Sequence, residues 1–353
     1  MNHHSTARRS TVDASVQSTI VKPPARINKS NNAMLPQSRF IPTGGMMLDC
    51  ILAGTSEIGG WGRGRIVNIV GDKSSGKTLL AVEACANIAL ISPITNIRYI
   101  EAEAAFDADY GAVVGMPIGV HPIDTIRTVE NYFDDLSSFC IEQKKNPFPA
   151  VHVLDSLDAL SDDAEMKRKM GEGSYGMAKA KLMSETFRRQ IKDIEAANVT
   201  AIIISQVRDK IGVMFGEKTT RTGGRALDFY ASQVITLAEI SKIKRTVSGI
   251  ERPIGVEVRI RNRKNKLGPP YREAEQTMLF GYGIDDETSM LKFLLKTKVI
   301  TSAVQWMDAV HAARLAKDRD RIKQINTELR KMVWTKWSEI EQSVAPIGPR
   351  KYD

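Results

Sequence analysis

The chain has 353 residues, enough for one full core with appendages, and its 42% hydrophobic and 26% charged residues are those of an ordinary globular protein. No apolar run approaches the roughly 20 residues of a membrane-crossing helix, which excludes a helical membrane span and a membrane partner. Fifty Lys and Arg against 41 Asp and Glu leave a formal net charge of +9, a balance that suits a polyanion without naming one.

Residues 1–38 read as a basic, mostly disordered N-terminal arm. They are polar, carry Pro23-Pro24 and an Asn/Ser-rich run from Asn28 to Asn32, and lack the apolar segment of a secretory signal. Within them, residues 15–21 alternate enough for one strand that pairs with a neighbouring subunit. From 39 to 286, strand patterns at 66–70, 97–101, 150–154, 200–205, 232–237 and 256–261 alternate with helix patterns at 79–90, 129–144 and 178–197. Such alternation predicts an α/β core with a mainly parallel central sheet covered on both faces, ending in antiparallel strands where the intervening helices run out. Residues 287–353 turn polar and helical around Trp306, Trp334 and Trp337, which predicts a small C-terminal helical domain.

The first chemistry-bearing motif is Gly71-Asp72-Lys73-Ser74-Ser75-Gly76-Lys77-Thr78, placed between an apolar β-branched run and a Gly- and Pro-free helical stretch. Glycines permit tight curvature, successive N–H groups face phosphate oxygens, and the helix N-terminus favours negative charge. Lys77 is expected to reach the β- and γ-phosphates and the Thr78 hydroxyl to ligate Mg²⁺, so the chain is expected to bind ATP or another nucleoside triphosphate.

Two further strands end in carboxylates. The apolar run Val151-His152-Val153-Leu154 leads into Asp155, where phosphate-loop enzymes place the Asp that holds Mg²⁺. Tyr99-Ile100-Glu101-Ala102-Glu103 offers two acids on one face, and alternation alone does not separate them as the group that orients the attacking water. Cys50, Cys85 and Cys140 form no CxxC pair, and the five histidines have no metal-ligand spacing, which fits a reducing, cytoplasmic setting.

The most distinctive stretch runs from Val207 to Arg225. A patternless connection of about twenty residues is uncommon inside a compact domain. This one combines Arg208, Lys210, Lys218, Arg221 and Arg225 with the Gly223-Gly224 pair and apolar Ile211, Val213, Met214 and Phe215. Cations neutralise phosphates, glycines allow close backbone approach, and apolar side chains wedge between bases. A second loop, ending in Gly171-Glu172-Gly173-Ser174-Tyr175, has the same mix and leads into a helix bearing Lys179, Lys181, Arg188 and Arg189. Together they predict a nucleic-acid groove.

With these residues in view, the chain resembles the RecA-type homologous recombinases from about residue 40 to 299. The phosphate loop, Glu101 to Tyr110, Leu154-Asp155-Ser156, Lys210 to Gly216, Thr222 to Ser232 and Arg263-Lys264-Asn265-Lys266 follow that family's order. The resemblance implies that Glu103 is the catalytic glutamate and Gln206 the glutamine that senses the γ-phosphate. It implies that Tyr110 stacks on adenine, Asp107 contacts its edge, and Lys264 and Lys266 reach the ATP of a neighbouring subunit. Arg208, Gly223, Gly224, Arg225, Lys181, Ser184 and Arg188 match positions that contact the DNA backbone, and Phe229 matches an interface aromatic. Asp228, Arg225 and Lys181 depart from the family pattern, marking a divergent member of phage type.

The implied activity is a DNA-dependent ATPase that forms helical filaments on single-stranded DNA, pairs it with homologous double-stranded DNA, and works with single-strand-binding and loader proteins. A DNA motor or helicase on the same fold, and a non-enzymatic ATP-binding mediator, are the alternatives.

Overall fold

Residues 66–71 send side chains to both faces of a sheet. Ile66 and Val70 enter one apolar cluster, while Val67 and Ile69 enter another on the opposite side. Strands covered on both faces lose the polar half of the alternation, which is why this segment reads as a continuous apolar run. The computed structural model describes residues 38–54, 57–104, 106, 108–167, 176–209, 219–220 and 224–345. The expectations for residues 1–37, Asp107, Tyr175, Lys210 and Gly223 lie outside that set.

In chain order the elements are β1 (Phe40–Ile41), α1 (Met46–Ile51), β2 (Trp61–Gly62), β3 (Ile66–Gly71), α2 (Lys77–Ala89), β4 (Ile97–Glu101), α3 (Ala108–Val113) and α4 (Val129–Gln143). Next come β5 (Ala150–Asp155), α5 (Asp163–Lys167), α6 (Gly176–Ala196), β6 (Val199–Gln206), β7 (Arg208–Asp209), β8 (Thr219–Thr220) and α7 (Gly224–Tyr230). The chain continues with β9 (Gln233–Val247), β10 (Ile250–Asn265), β11 (Glu273–Leu279), β12 (Gly283–Ile284), α8 (Asp286–Lys296), α9 (Val304–Leu315) and α10 (Arg319–Val344).

Eight strands form one sheet in the order β12-β11-β10-β9-β3-β6-β5-β4. From β9 to β4 neighbours are parallel, and from β9 to β12 they are antiparallel, as the thinning of helices after 237 predicted. One face is covered by α4, α6 and α7, with Phe133, Leu136, Phe187 and Leu227 packed against Leu154 and Ile203. The other is covered by α1, α2 and the C-terminal helices, where Leu80, Ile88, Leu291, Leu329, Val333 and Trp337 share one cluster with Ile69 and Ile204. Each such side chain, fully buried, contributes about 1.5–3 kcal/mol. Local signals set the helix starts: Thr128 Oγ1 accepts from Asn131 N at 3.3 Å to cap α4, and Asp318 Oδ1 accepts from Arg321 N at 2.9 Å to cap α10.

The expected strand and helix positions match within a residue or two, with one large exception. The strands expected to stop at 237 and to start at 256 instead run on, as β9 to Val247 and β10 from Ile250. Beyond Ile243 and Gly255, where β10 no longer has β11 as its other neighbour, the two strands run on as a two-stranded ribbon, exposed from Lys244 to Pro253. Ser248 (φ 51°) and Gly249 (φ 79°) form its two-residue turn, both in the left-handed region that a type I′ hairpin needs.

Candidate nucleotide and nucleic-acid site

Parallel strands place their ends together, and four of the predicted residues follow from that alone. Gly71 lies opposite Gln206 across β3 and β6, and Glu101 opposite Asp155 across β4 and β5, all at the C-terminal edge of the sheet. The loop after β3 turns tightly at Gly76 (φ 91°), where any Cβ would stand 2.4 Å from Met278 Sδ. A Cβ on Gly71 would meet Ser75 Oγ at 2.5 Å. Lys77 Nζ folds back to donate to the Asp72 carbonyl at 2.6 Å, and Ser75 Oγ donates to the same oxygen at 2.9 Å. Burial lowers the Lys77 ammonium below its usual range, while Asp155 and Glu103 pull it upward.

A cleft of about 380 Å³ opens beside this loop, bordered by Ser74 to Leu79 on one side and by Phe106, Gly111, Val114, Met278 and Phe280 on the other. An apolar wall facing a phosphate cradle suits a nucleotide base. Asp107 is outside the described residues; Tyr110 lies in α3 with its side chain outside them. Met278 and Phe280 carried no sequence signal for this role, because they lie some two hundred residues along the chain from the loop they face, and Phe106 carried none because nothing local marks a cleft wall.

Asp155 is nearly buried, and burial raises its carboxyl above the usual range, an effect offset in part by hydrogen bonds from Thr78 and Tyr99 and by the charge of Lys77. Tyr99, fully buried, donates its hydroxyl to Asp155 Oδ2 at 2.8 Å. A hydroxyl and a carboxylate in contact at the loop's helix are oxygen donors of the kind that hold Mg²⁺ with most of its water retained, so Thr78 and Asp155 fit that ion. The sequence gives no sign of this role for Tyr99, which reads simply as an apolar strand residue.

The two acids left open by alternation differ sharply in their surroundings. Glu101 is buried, and its Oε1 accepts from the Glu103 backbone N–H at 3.1 Å. Glu103 is exposed; its Oε1 accepts from Gln206 Nε2 at 2.7 Å and from the Ser156 hydroxyl. The Gln206 backbone N–H in turn donates to Asp158 Oδ2 at 2.6 Å. Ser156 and Asp158 thus join Glu103 and Gln206 in one polar network at the strand ends.

Gln206 is also the last residue before the long basic loop. Its two ends are drawn together, because Arg208 and Asp209 pair antiparallel with Thr220 and Thr219. Gly224 and Arg225 open α7, with the Arg225 side chain outside the described residues. On α6, Lys181, Ser184 and Arg188 recur at intervals of three and four and share one face, Lys181 and Arg188 exposed. Arg188 Nε reaches Tyr230 Oη on α7 at 3.4 Å, so the helices bearing these candidates sit together. Lys179 does not belong to that exposed face: it is buried and donates to the Leu160 carbonyl.

Lys264 and Lys266 lie on the far side of the same sheet. Lys264 stands opposite Val234, three residues before the Leu237 that faces Gly71. Its Nζ donates to the carbonyls of Asp228 (2.5 Å) and Phe229 (2.9 Å), the C-terminal end of α7. Phe229 is 70% exposed, while Asp228 turns inward to Asn68 Nδ2 at 3.5 Å. Asn68 also accepts from Ser205 Oγ at 2.9 Å, so Asp228 is linked through Asn68 to β6.

No group of three or more metal-ligating side chains, and no helix long and apolar enough to cross a membrane, occurs among the described residues. The family described as RecA N-terminal domain matches residues 26–285. The chain is 35% identical over 280 residues to the RecA protein of Cutibacterium acnes, covering 75% of this chain and 72% of that one. It is 36% identical over 280 residues to the RecA protein of Treponema pallidum (strain Nichols), covering 79% and 65%. Among solved structures, a RadB recombinase matches 69% of this chain and 98% of its own at 16% identity and a TM-score of 0.45. On the extent of the family match and the identity to these relatives, the chain belongs to the RecA family.

Proposed function

We propose that this chain is an ATP-dependent DNA recombinase that assembles on single-stranded DNA and pairs it with a homologous duplex. RecA-family membership supports a role in DNA recombination and repair. The observation that carries the finer reading is the 2.7 Å hydrogen bond from Gln206 to Glu103, because it ties the carboxylate beside the nucleotide cleft to the residue that opens the basic loop.

In this reading Gly71 to Thr78 cradle the triphosphate, with Lys77 released from the Asp72 carbonyl to the phosphates. Thr78 and Asp155 hold Mg²⁺, which when bound supplies charge that neutralises the β- and γ-phosphate oxygens. Tyr110 and Asp107 meet the base. Glu103 orients and deprotonates the attacking water. A γ-phosphate competes with Glu103 for the Gln206 amide, so nucleotide occupancy is transmitted to the loop at 207–225 and to α7. Loop order and nucleotide state then shift together. Tyr175, Lys181, Ser184 and Arg188 after the first loop, with Arg208, Lys210, Gly223, Gly224 and Arg225 in the second, hold the DNA backbone and leave its bases free to find complements.

Lys264 and Lys266 extend to the ATP of the next subunit, with Phe229 at the contact, so ATP closes the interface of a filament. We assign residues 1–38 to an N-terminal arm, 39–286 to the ATPase and DNA-binding core, and 287–353 to a C-terminal helical domain, acting on DNA in the cytosol with single-strand-binding and loader proteins. Electron microscopy of the chain with single-stranded DNA and ATP tests the reading: helical filaments support it, closed rings favour a motor, and scattered particles favour a mediator without its own assembly.

A further inference from the structure

One wall of the nucleotide cleft is built on a short hairpin at the edge of the sheet. Met278, Leu279 and Phe280 line the cleft from the end of β11 and the turn that follows. β12 is the last strand of the sheet and pairs with β11 at only two positions, Met278 with Ile284 and Leu279 with Gly283. The turn takes the left-handed region at Gly281 (φ 68°), and Gly283 follows at φ 107°. So short a hairpin adds little stability of its own, and Phe280 and Tyr282 at its tip are exposed. A wall carried in this way needs a hold from outside the hairpin.

Glu83 of α2 supplies one. Its Oε1 accepts from the Ile284 N–H at 3.3 Å, a backbone donor of the edge strand. A Cβ on Gly283 would stand 2.8 Å from Oε1 and a Cβ on Gly44 2.8 Å from Oε2, so backbone closes on the carboxylate from two sides. Burial pushes this carboxyl above its ordinary range; the Ile284 N–H draws it back and the charge of Asp286 adds to the rise. Among the described residues Glu83 makes no ion pair, and its side chain's one hydrogen bond is the bond to β12. A half-buried carboxylate without a cation costs free energy that an apolar side chain at the same position would not. Bulk packing of α2 therefore does not account for it, and the bond to β12 does.

The place of Glu83 on α2 joins this hold to the phosphate loop. Leu79 lies one helical turn before Glu83 on the same face, and Lys77, Thr78, Leu79 and Val82 all line the cleft. We propose that Glu83 is a positioning residue for the nucleotide: its carboxylate fixes the β11–β12 hairpin against α2, so that Met278 and Phe280 stand at a set distance from the phosphate cradle. The proposal rests on the nucleotide reading above and deepens it. Inorganic phosphates meet the loop alone, whereas a nucleoside triphosphate meets the loop and the wall together. A residue that merely supported α2 would matter equally to both.

The test is calorimetric titration of the full chain in Mg²⁺ with ATP and, separately, with inorganic tripolyphosphate. Glu83→Ala is expected to weaken ATP binding about tenfold, the scale of one hydrogen bond to a charged group, and to leave tripolyphosphate binding unchanged. Glu83→Leu fills the space without an acceptor and should behave alike. Glu83→Gln keeps an acceptor for the Ile284 N–H and should stay within about threefold of wild type, since a neutral partner bonds roughly half as strongly. Phe280→Ala removes the wall itself, so adding Glu83→Ala to it should cost no further affinity. In the nucleotide-free chain, amide protection across residues 279–284 should fall in Glu83→Ala and persist in Glu83→Gln. Circular-dichroism melts check that each variant folds. Unchanged ATP affinity in Glu83→Ala and Glu83→Leu overturns the proposal, as does full additivity with Phe280→Ala. An equal loss of tripolyphosphate binding overturns it in favour of simple support of α2. Should the wild-type chain bind no ATP, the nucleotide reading fails by itself, and amide exchange at 279–284 still decides whether Glu83 holds the hairpin.

Discussion

Gln206 Nε2 donates to Glu103 Oε1 at 2.7 Å, so the candidate base and the last residue before the basic loop share one hydrogen bond. Removing either partner should therefore separate two functions that are coupled in the wild type. Glu103→Gln keeps the shape and a hydrogen-bond acceptor but cannot take a proton. It should lower DNA-stimulated ATP hydrolysis by about 10²-fold or more while ATP-dependent single-strand binding persists. Gln206→Ala should do the reverse at the binding step: nucleotide still binds, but ATP no longer raises affinity for single strands. Fluorescence anisotropy with and without ATP, beside a phosphate-release assay, reads both. Equal loss of binding and hydrolysis in Glu103→Gln would remove the base assignment.

Tyr99 gives a second separable effect. Its hydroxyl is the buried donor to Asp155 Oδ2, and the ring packs against Phe106 at 5.5 Å between centroids, so Tyr99→Phe deletes one hydrogen bond with little change in packing. A hydrogen bond to a charged group is worth about 1.5–3 kcal/mol, and its loss lets the carboxylate swing. The variant should need roughly ten times more Mg²⁺ for half-maximal binding of a fluorescent ATP analogue, by the same energy scale. Binding measured in EDTA should not change. A loss of affinity in EDTA of the same size would mean that Tyr99 supports the cleft wall and not Asp155.

The parts of this molecule that are legible in its sequence are those where one segment carries its own explanation. Residues 66–78 hold a strand, a turn and a helix start in sequence, each with its own residue preferences, and β3 with α2 falls where they indicate. Glu101 and Glu103 cannot be told apart by alternation, because the difference lies in Ser156 and Gln206, which other strands bring alongside. Tyr99, Asp158, Phe106, Met278 and Phe280 escape sequence reasoning for the same reason. The ribbon escapes it because strand recognition leans on burial, and Ser241 to Thr246 buries almost nothing. The Ser248-Gly249 pair between Val247 and Ile250 is the available signal, a two-residue hairpin turn with Gly in second place.

A buried charge cluster predicts how stability depends on pH. Burial pushes the Asp49 carboxyl up to about 7 and the Asp286 carboxyl up to about 6, against ordinary values of 3.8. Arg330 of α10 lies 2.7 Å from Asp286 and 3.7 Å from Asp49 and pulls both down, while neighbouring Glu287, itself paired with Arg314, pushes Asp286 up. Folded pKa values above the unfolded ones mean that the folded chain holds more protons between pH 3.8 and 7. The stability this confers is fully present below 3.8 and is lost as the pH rises through 6 and 7, at up to about 1.4 kcal/mol per pH unit for each proton. Asp49→Asn keeps an oxygen for the Thr43 N–H, which now donates to Asp49 Oδ1 at 2.9 Å. It should flatten the decline and leave the variant more stable than wild type near pH 8. Urea unfolding across about pH 5 to 8 measures this, and an unchanged slope would place the titration elsewhere.

Lys264 offers the sharpest test of whether the nucleotide site is shared between subunits. Its ammonium caps the C-terminal carbonyls of α7, and the same strand position keeps it away from its own phosphate loop. Lys264→Ala should cost about 0.3–1 kcal/mol by removing this helix-end interaction. It should leave nucleotide binding by the dilute protein intact, yet abolish ATP hydrolysis on DNA. Lys77→Ala should be inactive for the opposite reason, because its own loop no longer grips the phosphates. Head-to-tail assembly of the two inactive chains places an intact Lys77 beside an intact Lys264 at roughly a quarter of the junctions when mixing is random. Hydrolysis should therefore return in the mixture and not in either variant alone. A mixture that stays inactive would show that Lys264 acts only within its own subunit, holding α7 in place.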